Sequence, residues 1–182
     1  NSYAQIKQPE NWFPLVASGL SPATSIPSVT LNPYDPSGNP EVTDISAGAF
    51  QTCVVVSGNL QCFGNNTSKS VGGDHPGFTP RTSISSGVSA AAAGWLHTCA
   101  VVSGGLQCFG RNNHGQVGTG SSDAFIDTPY TVIATGVTAA AAGGYHTCAV
   151  VSGALKCFGA NDNGQIGNGT TGTDVYTPFT VF

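Results

Sequence analysis

One phrase of 23 residues occurs twice in this sequence with eighteen positions unchanged, and a weaker copy precedes both. Residues 88–110 read VSAAAAGWLHTCAVVSGGLQCFG, and residues 137–159 read VTAAAAGGYHTCAVVSGALKCFG. Residues 42–64, VTDISAGAFQTCVVVSGNLQCFG, keep the glycine, both cysteines, the Ser-Gly pair and the closing Phe-Gly. The copies start 46 and 49 residues apart, a period typical of architectures with one supersecondary unit per repeat. The structure of one unit therefore decides the fold of the chain.

Each unit is predicted to contain four short strands. The alanine runs Ala90–Ala93 and Ala139–Ala142 end at a glycine after four residues, which is too short for a helix, so we interpret them as strands with crowded neighbours. The runs Thr98–Val102 and Gly105–Phe109 flank a Ser-Gly pair and predict a hairpin. A fourth strand follows each long polar loop, and its leading proline is typical of an edge strand. These fourth strands are predicted at Pro80–Ile84, Pro129–Ile133 and Pro178–Val181.

Four short strands in about 48 residues are typical of a propeller blade. The predicted fold is all-β, with three blades that form a partial or open propeller. The predicted domain covers residues 26–182, with repeats near 42–87, 88–136 and 137–182. A further candidate strand, Ile26–Leu31, precedes an inserted loop at Asn32–Pro36, and residues 1–25 are predicted to be an extension or linker.

Composition excludes several partners. Only 8% of the residues are charged, against roughly 25% in an ordinary soluble domain. The net charge is −4 and the five basic residues are scattered singly, so we expect no nucleic-acid partner. No apolar run is long enough to span a bilayer, so no membrane span is expected. The sequence has no methionine, and we therefore expect Asn1 to follow a cleavage site or a chain boundary.

The six cysteines have the same placement in every repeat. If Ser103-Gly104 form a two-residue turn, facing residues have numbers that sum to 207, as Cys99 and Cys108 do. Such positions are non-hydrogen-bonded pairs whose Cα atoms approach to about 4.5 Å, close enough for a disulfide. We therefore favour disulfides over a metal site, because the sequence has no close CxxC pair. We also favour them over reduced cysteines packed as small hydrophobes. The predicted bridges, Cys53–Cys62, Cys99–Cys108 and Cys148–Cys157, imply an oxidising, extracellular location.

No catalytic, metal or cofactor site is predicted. His97 and His146 recur, but no nucleophile or carboxylate recurs with them, so we interpret both as structural imidazoles that bond backbone carbonyls between blades. Asn112 and Asn161 precede Gly-Gln pairs and are expected to satisfy loop backbone through their amides. Residues 161–164, Asn-Asp-Asn-Gly, lack the terminal glutamate of a calcium loop.

The phrase AAGxxHTCAVVSGxLxCFGxNxxGQxG, which ends at Gly118 and again at Gly167, resembles the repeat of the regulator-of-chromosome-condensation family. The resemblance covers about residues 26–182. It implies a propeller, usually of seven blades, that binds proteins through loops on one face, and its bacterial members are secreted or surface proteins. This chain departs from the family in having phenylalanine instead of tryptophan before the Gly, at Phe63, Phe109 and Phe158, and in having only three copies.

The variable loops are the predicted binding regions, because loops on a rigid repeated scaffold are where partners bind. Their aromatic residues are candidates either for exposed anchors or for buried plugs: Phe78, Phe125, Tyr130 and Tyr176. The predicted function is a non-catalytic extracellular module that binds a protein or glycan. The alternative is a structural subunit or head domain of an extracellular filament or oligomer, such as a pilin-like assembly, in which blades pair between chains.

Overall fold

The structure, a computed structural model, describes residues 40–182. This part of the chain forms three sheets of four antiparallel strands and contains no helix. It therefore has no helix that could cross a membrane. Blade A contains β1 (Val42–Ala47), β2 (Gln51–Val56), β3 (Asn59–Gly64) and β4 (Arg81–Ile84). Blade B contains β5 (Val88–Ala93), β6 (His97–Val102), β7 (Gly105–Arg111) and β8 (Phe125–Ile133). Blade C contains β9 (Val137–Ala142), β10 (His146–Val151), β11 (Ala154–Gly159) and β12 (Val175–Thr180).

Each blade is a meander in which every strand pairs with the next along the chain. The first strands of the blades, β1, β5 and β9, pack side by side, with β5 between the other two. The fourth strands, β4, β8 and β12, form the outer edges. This is the arrangement of propeller blades, so the predicted all-β fold with an open set of blades is confirmed.

The fourth strands differ in detail from the prediction. Proline was expected at their first position, but Pro129 lies inside β8 and Pro178 inside β12. Both lie where the pairing register shifts, between Cys108 and Gly110 in blade B and between Cys157 and Gly159 in blade C. A register shift on an edge strand leaves an N–H unpaired, so a residue without one is tolerated there.

The Ser-Gly pairs form two-residue turns with positive φ at both positions, 50° at Ser103 and 77° at Gly104. Two positive φ values define the type I′ turn, whose twist matches that of the flanking strands. The turn sets Cys99 opposite Cys108, and the same register recurs in blades A and C. The structure has three disulfides with Cα–Cα distances of 4.0–4.1 Å: Cys53–Cys62, Cys99–Cys108 and Cys148–Cys157.

The alanine runs are strands, and they are crowded where the blades converge. The backbone N–H of Ala91 donates to Asp44 Oδ2 at 2.8 Å, and that of Ala93 donates to Ser46 Oγ at 2.9 Å. Side chains of blade A therefore satisfy two backbone N–H groups on the first strand of blade B. The glycine after the run is also needed, because a Cβ at Gly94 would lie 2.6 Å from the Gly143 carbonyl oxygen.

The hydrophobic core lies between blades. We call the surface of a blade that meets the following blade its back face, and the surface that meets the preceding blade its front face. The back face of blade A contributes Cys53, Val55, Leu60 and Cys62, and the front face of blade B contributes Ala93, Ala100 and Phe109. The next interface repeats this set, with Phe158 in the place of Phe109. Both phenylalanines are fully buried.

The extension at residues 1–25, the strand at Ile26–Leu31 and the loop at Asn32–Pro36 were predicted from sequence and lie outside the described residues.

Candidate functional site

The two ends of each blade differ in what they present. At one end, the turn between the first and second strands is bonded to the start of the long loop that follows the third strand. The N–H of Arg111 donates to Leu96 O at 2.8 Å, and Ala160 donates to Tyr145 O at the same distance. We call this end, with its inner turns and long outer loops, the loop face. The opposite end carries the Ser-Gly turns.

A buried asparagine braces each long loop, as the sequence predicted. Asn112 accepts the Val117 N–H at 2.9 Å and donates to Thr119 Oγ1 and Ser121 O. Asn161 makes the equivalent bonds to Ile166 and Thr170 in blade C. Because each amide satisfies backbone groups from both arms of its loop, the loops leave the blade in a fixed conformation.

An aromatic cluster lies on the inner part of the loop face. The rings of Trp95 and Tyr145, in the inner turns of blades B and C, form an edge-to-face pair with centroids 5.2 Å apart. The His114 ring lies 5.1 Å from Tyr145, and His114 Nδ1 is 3.0 Å from Asp174 Oδ2. Trp95 remains 50% exposed. An amphipathic surface of this kind, with aromatic rings beside a carboxylate, is typical of a binding site.

The four aromatic residues predicted from the variable loops are all partly or fully exposed, but they are not clustered. Phe78 is 84% exposed and lines an open cleft of about 520 Å³ with His75 and Pro76. Phe125 and Tyr130 lie on the outer strand β8. Tyr176 packs against the loop of blade B, where a Cβ on Gly115 would meet its ring at 2.4 Å. No aromatic contact joins these four rings within residues 40–182.

Sequence reasoning missed Trp95 and Tyr145 because they lie inside the repeated phrase rather than in a long loop. A signal was present. The two positions between the glycine and the His-Thr-Cys are among the few that vary, reading Trp-Leu in blade B and Gly-Tyr in blade C. Variable positions on a constant scaffold indicate recognition in short turns as well as in long loops.

His97 has a structural environment. It is fully buried, and its Nε2 lies 2.9 Å from Thr147 Oγ1 of blade C. Thr147 Oγ1 donates to Gln116 O at 2.9 Å, so its hydroxyl proton is used and His97 Nε2 must be the donor. Burial, with a smaller contribution from nearby His146, lowers the pKa of His97 to about 3. The imidazole is neutral at physiological pH.

The expected bonding of the histidine was therefore wrong in one respect. His97 reaches across the blade interface, but its partner is a threonine hydroxyl rather than a backbone carbonyl. The carbonyl contacts are made by Gln51, the equivalent residue of blade A, which donates to Gly94 O and His97 O at 3.0 Å each. In residues 40–182, no group of three His, Cys, Asp or Glu side chains is arranged to hold a metal ion.

A second cleft, of about 380 Å³, lies between the outer parts of blades A and B. It is polar, with Arg81, Asp127 and His75 among its lining residues. Asp74 at its edge forms an ion pair with Lys69. Because these charges are exposed and of both signs, the cleft has no strong electrostatic selectivity.

The fold matches that of known propellers. A chain in the crystal structure of Kap60 bound to yeast RCC1 (Prp20) superposes with a TM-score of 0.69 at 19% identity, over 78% of this chain and 37% of that one. Prp20p from Saccharomyces cerevisiae gives 0.70 at 19% identity, over 78% and 39%. Human WBSCR16 gives 0.67 at 17% identity, over 77% and 40%. This chain thus spans about two fifths of the length of these matches.

Comparison with curated protein sequences gives no significant match. Two models of the "Regulator of chromosome condensation (RCC1) repeat" match the sequence, one at residues 103–150 and the other at residues 88–116. The matched residues include the His-Thr-Cys and Gly-Gln positions that build the blade interface and the long loop of blade B. Residues 88–150 of this chain therefore match the regulator of chromosome condensation repeat.

Proposed function

We propose that this chain is a non-catalytic extracellular module that binds a protein partner through its loop face. The observation that carries the proposal is the aromatic cluster of Trp95, Tyr145 and His114. A half-exposed tryptophan at the centre of a surface is the residue type most often found to dominate a protein interface.

The cluster is held in place before any partner arrives. The backbone N–H of Trp95 donates to the carbonyl oxygen of Gly144 in the neighbouring blade, with an N–O distance of 3.4 Å. The indole ring of Trp95 lies next to Gly144. The His114 ring is hydrogen-bonded to Asp174, and the backbone N–H of His114 donates to Gln116 Oε1 at 2.9 Å. Because these contacts are already formed, binding would lose less side-chain entropy than it would for unrestrained rings.

Fold analogy supports a protein as the partner class. Prp20p, which shares the fold, is described with its binding properties to Gsp1p and histones. That likeness carries no partner over to this chain, because the identity is 19%. Glycans are the alternative, since exposed tryptophan and tyrosine rings also stack on sugars.

The test is selection of random displayed peptides on the immobilised protein, followed by affinity measurement with variants. We expect Trp95→Ala and Tyr145→Ala each to weaken the selected peptides by roughly 30-fold, the effect of losing a hot spot of about 2 kcal/mol. Tyr130→Ala, an exposed ring on the outer strand, is the matched control and should bind as the wild type does. Equal binding by all variants would overturn the proposed site, and binding only to a glycan array would replace the partner class.

The extracellular location is supported by the three disulfides, since such bonds persist in oxidising compartments. Thiol titration of unfolded protein, isolated from its natural source with free thiols blocked at lysis, tests this. We expect all six cysteines to resist labelling until a reductant is added. Labelling without reductant would place the protein in a reducing compartment.

A second candidate function is a structural subunit of an extracellular filament or oligomer. It is favoured by one observation, the more exposed back face of blade C. Light scattering over a range of protein concentrations tests it, and a constant monomer mass would exclude it.

A further inference from the structure

The two blade interfaces use one polar device. At the interface between blades B and C, His97 donates to Thr147, and Thr147 donates to Gln116 O of the blade B loop. At the interface between blades A and B, Thr98 donates to Ser70 O of the blade A loop at 2.7 Å. At both interfaces, the threonine on the front face therefore bonds to the long loop of the preceding blade.

At the other end of the blades, a backbone hydrogen bond also joins each pair of neighbouring blades. The Val88 N–H donates to Gly58 O at 3.0 Å, which joins the first strand of blade B to the Ser-Gly turn of blade A. The Val137 N–H donates to Gly104 O at 2.8 Å, which joins blades B and C in the same way. Each interface therefore has hydrogen bonds at both ends and an apolar core between them.

The back face of blade C has every element of this interface except the following blade. Its residues Cys148, Val150 and Leu155 are half-buried, whereas the equivalent Cys99, Val101 and Leu106 of blade B are buried. They surround a shallow groove of about 130 Å³ whose other walls are alanines of β9 and β10. The exposed surface of the groove is almost entirely apolar.

The front face of blade A has the complementary half. Ile45 is 70% exposed, and Val54 and Phe63 are half-buried, whereas Phe109 and Phe158 at the position of Phe63 are fully buried. Alignment of the repeats places Thr52 at the position of Thr98 and Thr147. Blade A thus presents a front face of the same type as those buried inside the molecule.

The polar groups at the two ends are also complementary. His146 of blade C is the equivalent of His97, and Thr52 of blade A is the equivalent of Thr147. Within residues 40–182, neither the His146 imidazole nor the Thr52 hydroxyl forms a hydrogen bond. The carbonyl of Gly153 and the N–H of Val42 take the places of Gly104 O and the Val137 N–H.

We propose that the back face of blade C binds the front face of blade A of a second copy of this chain. The contact repeats the interfaces already present between blades. His146 donates to Thr52 of the second copy, Thr52 donates to the carbonyl of Gln165, and the Val42 N–H donates to Gly153 O. The inference rests on the second candidate function and does not require the loop face to bind a partner.

Side-chain size also fits a second copy. Ile45 and Val54 replace Ala91 and Ala100 of blade B and Ala140 and Ala149 of blade C. These larger side chains would fill the groove on blade C, whereas both internal interfaces have alanine at these two positions. Neither face carries a carboxylate, ammonium or guanidinium group at the aligned interface positions, so like-charge repulsion does not oppose the contact.

The contact is heterologous, because two different surfaces meet. Each added copy therefore leaves one back face of blade C and one front face of blade A free at the ends of the assembly. Assembly therefore continues until a ring closes or an open filament forms. This property gives a test that a symmetric dimer could not pass.

The experiment uses two variants of this chain, each of which blocks one face. Leu155→Lys blocks the back face of blade C, and Val54→Lys blocks the front face of blade A. Ala141→Lys, an exposed site on the same back face, is a second back-face variant if Leu155→Lys lowers the melting temperature. Ser122→Lys adds the same charge in an exposed loop and is the matched control.

Sedimentation velocity should show that the mass of the wild type and of Ser122→Lys rises with concentration. Each face variant alone should stay at the monomer mass. An equimolar mixture of Leu155→Lys and Val54→Lys retains one intact pair of faces and should stop at twice the monomer mass. Monomeric wild type at every concentration would overturn both this inference and the second candidate function.

Two further outcomes separate the inference from the functions proposed above. Face variants that assemble like the wild type would overturn the interface while leaving a structural role intact. A mixture that stays monomeric while the wild type assembles would overturn the head-to-tail geometry. Peptides selected on the loop face should bind Leu155→Lys as they bind the wild type, so loop-face binding is tested independently.

Discussion

Equivalent positions of the repeat form hydrogen bonds to the next blade with different side chains. The buried site at the start of the second strand is Gln51 in blade A and His97 in blade B. Gln51 bonds to two carbonyls of the next blade, and His97 bonds to a hydroxyl. The choice matters for pH, because only the histidine can gain a proton.

His97 should make stability depend on pH. Its pKa is about 3 in the folded chain and about 6.5 when exposed, so between these values the unfolded state binds more protons. Stability is then fully present above pH 6.5 and falls on acidification by up to about 1.4 kcal/mol per pH unit. His97→Gln, which copies blade A, should flatten this dependence.

Urea unfolding at several pH values measures the effect, and the difference between variant and wild type removes contributions from carboxylates common to both. His146→Gln is the control. Burial also lowers the pKa of His146, but this residue is only half-buried, so its replacement should change the slope less. Parallel stability curves for His97→Gln and the wild type would contradict the assignment of His97 as a buried neutral base.

At the scale of the element, the hairpin with its disulfide recurs in every blade. The type I′ turn fixes the register, and the register places two cysteines on the back face of each blade. Cys99 Sγ lies 3.7 Å from Thr147 Oγ1 of the next blade, so this bridge also contributes to the interface.

Removing a bridge should therefore cost different amounts in different blades. All three close loops of the same length, with a separation of 9 residues, which predicts about 2–3 kcal/mol each from chain entropy. Replacing Cys99 and Cys108 together by alanine should cost more than this, because both are fully buried between blades B and C. The same change at Cys148 and Cys157, on the more exposed back face of blade C, should cost less. Denaturant unfolding of monomeric protein checks the order, and an equal or reversed order would contradict the interface role.

The strands themselves were largely predictable from the sequence. The Ser-Gly pair between two β-rich runs identified the hairpins, and identical spacing identified the cysteine pairs. The fourth strands were harder, and β8 begins four residues before the expected Pro129. From sequence, the proline indicates a boundary, but the register shift on the outer strand allows it inside the strand.

At the scale of the whole molecule, stability is expected to be uneven. Blade B has an interface on both sides, while blade C has one within residues 40–182. In repeat architectures each unit is stabilised by its own fold and by its nearest neighbours. The middle blade should therefore open least often.

Hydrogen exchange tests this unevenness at a concentration where the protein is monomeric. Backbone amides of β6 and β7 should exchange most slowly, and those of β10 and β11 should exchange faster, since blade C can open without breaking a second interface. Equal protection in the two blades would show that the array unfolds as a single cooperative unit.

The sequence by itself determined the repeat, the all-β blades, the hairpin register and the facing cysteines, because these depend on periodicity and on contacts between residues close in the chain. Only the tertiary structure decided which side chains meet across blades. The His97 to Thr147 bond joins residues 50 positions apart, and the Trp95 and Tyr145 rings come from different blades. Local patterns carry no record of such pairs, since the packing of one blade against the next brings them together.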